Sequence, residues 1–342
     1  MNIDRNQEKT SLQTFINSIP QRRSRIHCTG IHGAEAAYLT VQIYLRLHLP
    51  TVVILPSSKD GERFFQDLHF FSNRSGLPLI YFPSYHILPF KFLSYHNETA
   101  ARRIRTLYQL TAGGASPLVV TTVDALLQKI VPKHEITDYA ELIIEGEEID
   151  RDGLIQKLIF GGYTRSLIVE EPGDFSLRGG ILDLYTPLYS YPLRIELSGE
   201  TVESLRFFSP ATQRRRKRIS EAIILPAKET IIKKDRLHHI ISQIRREAAE
   251  LETPVTQVRK TIDQLKNEVV SPGIEGLIPF IYPSLNTFFD YIPNQALFIL
   301  MELKELEKAA EKSREQAANN FKTARDEGKL CVKPNHLYLE WE

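Results

Sequence analysis

Three short runs constrain this chain more than any other feature: Thr-Val-Val-Ile-Leu at 51–55, Leu-Ile-Tyr-Phe at 79–82 and Leu-Val-Val-Thr-Thr at 118–122. Pro50 and Pro56 bracket the first run. A continuous apolar or β-branched run of this length is the mark of a strand buried on both faces. Such a strand needs neighbours on each side and helices above and below. Helical composition fills the intervals: alanine-rich 34–47, then 60–72, then 99–111 with Arg102, Arg103 and Arg105. A further strand is expected at 26–29, running into Gly30. From Cys28 to Leu127 strand and helix therefore alternate, which predicts the α/β class with an open, mostly parallel sheet.

The pattern changes after Pro132. A strand is expected at 142–147 and a helix at 150–160, followed by a hairpin at 161–187. Its strands join through Glu170, Glu171, Pro172, Gly173 and Asp174, and Gly179-Gly180 leads into the apolar run 181–185. Two more strands, 193–197 and 202–208, flank the turn Ser198-Gly199-Glu200. These short strands predict a small inserted α+β module of about 70 residues. The expected domains are 1–130, the module at 131–208, and 209–342. The last part reads as a strand at 223–225 and charged helices at 234–252 and 254–268. An aromatic, proline-rich stretch at 274–292, a buried strand at 297–300 and a mainly solvated charged helix at 302–327 follow.

A chain of 342 residues is long enough for two or three domains. With 43 basic against 42 acidic residues and a formal charge of +1, there is no global pull toward nucleic acid or membrane. Cys28 and Cys331 are the only cysteines, without metal-ligand spacing. No run approaches the roughly 18 apolar residues of a membrane span, and no apolar leader opens the chain, so a cytoplasmic protein without membrane contact is expected. The ten histidines are scattered, and no metal site or catalytic residue stands out.

Gly30-Ile-His-Gly33-Ala-Glu-Ala-Ala37 occupies the place of a phosphate loop, where bare helix-start amides hold phosphate. That chemistry needs a lysine and a hydroxyl. Here Ala36 and Ala37 stand at those positions, and Glu35 adds negative charge. Arg102, Arg103 and Arg105, with Arg214, Arg215 and their basic neighbours to Arg218, are candidate phosphate contacts. Solvated or salt-bridged arginines explain the same clusters, because no aromatic platform is interleaved. Arg165 and Arg178 stand at either end of the hairpin without an explanation from strand patterning. Solvated sheet-face arginines are one reading of them.

Several stretches, in order, resemble the N-terminal region of the bacterial transcription-repair coupling factor family, Mfd. They are Tyr81-Phe-Pro-Ser-Tyr-His-Ile-Leu-Pro89, Arg105-Thr-Leu-Tyr-Gln-Leu110, Val119-Val-Thr-Thr-Val-Asp-Ala-Leu-Leu127, Gly162-Tyr-Thr-Arg165 and Arg178-Gly-Gly-Ile-Leu-Asp183. Arg194-Ile-Glu196, Pro210-Ala-Thr-Gln-Arg214, Ile224-Leu-Pro226 and Phe288-Phe-Asp-Tyr-Ile-Pro293 continue the match. That region is in turn similar to the excision-repair helicase subunit UvrB.

The resemblance implies a degenerate RecA-like lobe, interrupted by a module that binds UvrA and completed by a C-terminal connecting helix. It implies a noncatalytic role: recruiting UvrA to lesion-stalled RNA polymerase in nucleotide excision repair. On the module, Arg165 and Arg178 match interface arginines of the family, and Phe175 and Tyr163 lie near them as aromatic anchors. ATP, magnesium and double-stranded DNA are expected only of a motor part beyond this chain. Where UvrB has its nucleotide loop, Gly30, Gly33, Glu35, Ala36 and Ala37 stand without lysine; where it has an acidic pair, Met301-Glu302 lacks one carboxylate. The counterpart of UvrB's DNA-gripping hairpin, about 85–99, is short and poor in tyrosine. Two other readings stay open: a UvrB-like ATPase, and a module contacting duplex DNA nonspecifically.

Overall fold

The computed structural model describes residues 12–19, 24–72, 76–85, 90–91, 95–113, 116–266 and 273–341. The first part of the chain forms α1 (Leu12–Ser18), α2 (Ala34–Leu47), β1 (Thr51–Leu55), α3 (Ser58–Ser72), β2 (Leu79–Phe82), α4 (Asn97–Thr111), β3 (Leu118–Thr122), α5 (Val123–Leu127) and α6 (Lys133–Tyr139). All five residues of β1 and of β3 are buried, as their β-branched composition requires of central strands. On α4, Ala100, Ile104, Leu107 and Leu110 recur at three- and four-residue spacing and face the core. Burying each of its large aliphatic side chains stabilises by about 1.5–3 kcal/mol.

The chain then leaves this lobe for β4 (Glu141–Ile144), α7 (Arg151–Phe160), β5 (Thr164–Arg165), β6 (Asp174–Arg178), β7 (Ile181–Leu184), β8 (Leu193–Ser198), β9 (Thr201–Phe208), β10 (Arg215–Ile219) and β11 (Glu221–Ile224). It returns through α8 (Leu237–Glu250), α9 (Val255–Lys266), α10 (Ile278–Ile281), α11 (Phe288–Tyr291), β12 (Leu297–Leu300), α12 (Leu303–Asp326) and α13 (Pro334–Leu337). β12 pairs with β1 in the first sheet, whose order is β12-β1-β3-β2 with every pair parallel. Strands from opposite ends of the sequence thus close one lobe around an insertion.

The insertion is a six-stranded sheet in the order β10-β9-β8-β7-β6-β5, with its own apolar core. Its entry and exit are zipped together, because β4 and β11 pair antiparallel with Glu221 opposite Ile144. The boundary expected at 208 falls between β9 and β10, two paired strands of one sheet. Asp150 caps α7 by accepting from the Gly153 amide at 2.9 Å. The helix ends at Gly161, where a Cβ would lie 2.1 Å from the Tyr139 hydroxyl oxygen, and Gly162 follows at φ +86°. The module's helix therefore presses directly on α6 of the lobe.

Four expectations differ from the structure. The segment 26–29 is exposed and forms no strand, and the neighbours of β1 are β12 and β3. β12 is an edge strand with Phe298 and Leu300 exposed, because only β1 pairs with it. The strands of the predicted hairpin around Pro172-Gly173 run parallel, not antiparallel: Thr164 pairs with Asp174 and Arg165 with Phe175. The antiparallel hairpin is β6–β7, turning at Gly179-Gly180. Finally, α12 is not simply solvated, since Leu306, Ala310, Ala317 and Ala324 form a buried stripe along it. Among the described residues no helix is long and apolar enough to cross a membrane.

Candidate protein-interaction site

The module's sheet has two unlike faces. One carries Phe175, Leu182, Leu184, Leu193, Ile195 and Leu205 into the core beneath α7. On the other, strand register aligns Ser176, Asp183, Arg194 and Arg206 in one row across β6 to β9. Arg178, Ile181, Glu196 and Ser204 form the next row. Asp183, almost wholly buried, accepts from Arg194 through both carboxylate oxygens at 2.7 and 2.8 Å. Arg178 adds a third bond to it at 2.9 Å. Glu196 accepts from Ser204 at 2.6 Å, from Arg206 at 2.7 Å and from Arg215 at 3.3 Å. The Ser204 hydroxyl and these arginines hold the Glu196 carboxyl below its usual range, against some burial.

This ladder explains Arg178. It is a partner of Asp183 whose side chain remains 56% exposed at the rim of the charged face. Arg165 differs: it is exposed and makes no side-chain hydrogen bond or ion pair among the described residues. Its pairing with Phe175 gives it the parity of the core face. Arg178 lies three positions further along β6, about 10 Å away and of opposite parity. The two arginines therefore flank the β5–β6 end of the sheet from its two sides.

The aromatic anchors expected beside them are interior residues. Phe175 is 0% exposed and Tyr163 is 3% exposed. The Tyr163 hydroxyl donates to the Leu225 carbonyl at 2.6 Å, and burial pushes its pKa up. Phe175 points inward because it alternates with Asp174 and Ser176 on a strand whose core face is fixed by Leu182 and Leu184. Neither side chain offers surface to a partner.

The loop between β5 and β6 offers what they do not. Leu167 is 89% exposed and Ile168 is 51% exposed, whereas Val169 beside them is buried. Read as part of a strand, these three residues gave no sign of their exposure. The available signal was Asp174, whose carboxylate accepts from the amides of Glu170 and Glu171 and orders the end of the loop.

Four of the five candidate phosphate contacts have partners within the fold. Arg103 is wholly buried, a correction to its reading as a phosphate contact: it donates to Glu229 at 2.6 Å and to the Pro83 carbonyl at 2.9 Å. Arg105 donates to the carbonyls of Pro187 at 2.6 Å and Tyr189 at 3.2 Å, and burial lowers its pKa. Arg102 pairs on the surface with Glu98, and Arg215 with Glu196. Arg214 is exposed. With Asn97 donating to Glu171 at 3.2 Å, α4 acts as a strap between lobe and module.

At the proposed phosphate loop, Gly33 precedes α2 at φ 56° with no side-chain cap, and Gly30 adopts φ 80°. Glu35 sits in the first turn, while Ala37 is buried. Ala36 and Met301 pack against the same apolar cluster. Glu302 takes φ 53° at the head of α12, where its carbonyl accepts from Glu305 and Leu306. Ala36 and Met301 thus contribute apolar side chains to the cluster of α2, β1, α3 and β3. Among the described residues there is no group of three metal-ligating side chains. Within the short counterpart of the DNA hairpin, 86–89 and 92–94 lie outside the described residues.

Residues 142–229 match the family model of the UvrB interaction domain, and the strands β4 to β11 fall almost entirely inside that span. The chain is 28% identical over 327 residues to a transcription-repair-coupling factor of Myxococcus xanthus, covering 93% of this chain and 27% of the relative. The counterpart from Bacillus subtilis is 26% identical over 335 residues, covering 94% of this chain and 28% of the relative. One from Haemophilus influenzae is 26% identical over 290 residues, 84% of this chain and 24% of the relative. The chain spans about a quarter of the length of the curated relatives it matches. Over most of its length this chain is therefore similar to a transcription-repair coupling factor, with an inserted module that matches the UvrB interaction domain.

Proposed function

We propose that this chain is a noncatalytic protein-interaction region whose inserted module binds UvrA. In this reading it recruits UvrA to RNA polymerase stalled at a lesion, within nucleotide excision repair. The observation that carries it is the coincidence of the UvrB interaction domain match with a separately cored module. The lobe is a degenerate RecA-like scaffold in this reading: its parallel sheet and helices support it, as does the apolar packing of Ala36 and Met301, the residues that stand where the resemblance expects polar groups. ATP, magnesium, RNA polymerase and duplex DNA belong to the motor part of a longer protein.

Arg165 and Arg178 serve the UvrA surface, with Arg178 anchored by Asp183 and Arg165 free to pair with a carboxylate. Tyr163 and Phe175 support that surface from within the core. Purified UvrA immobilised on resin should retain this chain, and no ATP turnover should be measurable by phosphate release. Failure of retention, or turnover above background, would remove the reading. Duplex DNA binding is disfavoured by the engagement of Arg103 and Arg105 within the fold.

A further inference from the structure

We infer that Leu167 and Ile168 form the apolar anchor of the module's docking surface, and that its partner offers an apolar pocket rimmed by a carboxylate. This rests on the reading that the module binds a partner protein, and it identifies the chemistry of that contact.

Leu167 has the highest exposure of any large hydrophobic side chain among the described residues, at 89%. Its loop is not loose. Ser166 donates its hydroxyl to the Ile168 carbonyl at 2.8 Å, and Ser176 donates to the Leu167 carbonyl at 3.3 Å. Gln213, from the turn before β10, reaches the Val169 carbonyl at 3.3 Å, and Val169 itself is buried. The Asp174 carboxylate holds the far end by accepting from Glu170 and Glu171 at 3.2 and 3.0 Å.

The carbonyls of Leu167, Ile168 and Val169 are thus tied down while two aliphatic side chains project into solvent. A loop ordered in advance loses little entropy on binding, which is the condition for an efficient anchor. Arg165, two residues before Leu167 and without a side-chain partner among the described residues, supplies a cation beside the apolar tip. An apolar pocket bordered by a carboxylate satisfies both features at once. A lipid surface is the poorer fit, since Glu170 and Glu171 follow the tip directly.

The test is calorimetric titration of UvrA with the full 342-residue chain, as wild type, as Leu167→Ser with Ile168→Ser, and as Phe70→Ser. Phe70 is 76% exposed on α3 of the lobe and controls for general stickiness. The double variant should unfold at the wild-type temperature and bind about 10- to 100-fold more weakly. Phe70→Ser should bind as wild type does. A double variant within two-fold of wild type, alongside a weakened Arg165→Ala, overturns the anchor and leaves the UvrA reading intact. Equal loss in Phe70→Ser also overturns it. Absence of any wild-type binding removes both.

Discussion

Arg103 and Glu229 meet at 2.6 Å with both side chains buried, joining α4 of the lobe to the segment by which the chain leaves the module. The guanidinium lies over the rings of Phe82 and Tyr85, at 4.3 and 4.4 Å from their centroids. The Tyr85 hydroxyl donates to the same Glu229 oxygen at 2.9 Å. A buried charge pair of this kind contributes more to arrangement than to net stability, and its loss on one side is severe. It fixes where the segment leaving the module sits against the lobe.

Arg103→Ala leaves Glu229 buried without its cation. The expected cost is about 3–5 kcal/mol, measured by urea unfolding. Removing both charges, as Arg103→Met with Glu229→Leu, should recover part of that loss. An Arg103→Ala protein as stable as wild type would contradict the role assigned here.

Arg178 and Arg194 share Asp183 but differ in environment. Arg194 is mostly buried and makes two bonds, whereas Arg178 is half exposed and makes one. Arg178→Ala should therefore cost less than about 1 kcal/mol. Arg194→Ala should cost about 3 kcal/mol or more, since it removes the main partner of a buried carboxylate. Comparison of their unfolding midpoints checks this, and a small Arg178 effect makes binding data on that variant interpretable.

Gly161→Ala should destabilise by about 1–3 kcal/mol, because a new methyl group would collide with Tyr139 where α7 meets α6. Hydrogen exchange should rise around 157–163 and 225–232. The latter segment responds because the amides of Ala227 and Ile232 bond to the carbonyls of Gly161 and Phe160 at 2.8 and 3.0 Å.

These relationships were unequally legible in the chain. The two buried strands β1 and β3 announced themselves, because continuous β-branched runs suit a central strand and little else. Arg103 was readable in principle: it falls on the same helical stripe as Ala100, Leu107 and Leu110. Its charge drew attention to phosphate instead. Tyr163 and Phe175 could not be oriented from sequence, since facing is set by register with β7 and by the exit segment carrying Leu225. The parallel pairing of β5 with β6 was hidden for a similar reason. Asp174 organises the loop through backbone amides, and Pro172-Gly173 alone reads as an ordinary hairpin turn.

Acid should weaken the protein through Glu135. Burial by itself would raise its pKa, but hydrogen bonds and charge from Lys233 and Arg236 outweigh this and lower it from 4.5. A carboxylate depressed by folding contributes stability above its unfolded pKa and loses that contribution as pH falls through the folded value. Stability should therefore decline progressively below about pH 4.5. Glu135→Gln should be less stable at neutral pH and show a shallower decline, measured by denaturant midpoints across that window. A variant with the wild-type acid slope would exclude Glu135 as a source.

On the proposed reading, the inserted module binds UvrA through the β5–β6 end of its sheet. Calorimetric titration of UvrA with this chain, as wild type and as Arg165→Ala with Arg178→Ala, tests it most directly. Saturable binding is expected of wild type, and at least about ten-fold weaker binding of a normally folded double variant. Equal affinity of the two proteins, or no binding by either, would contradict it.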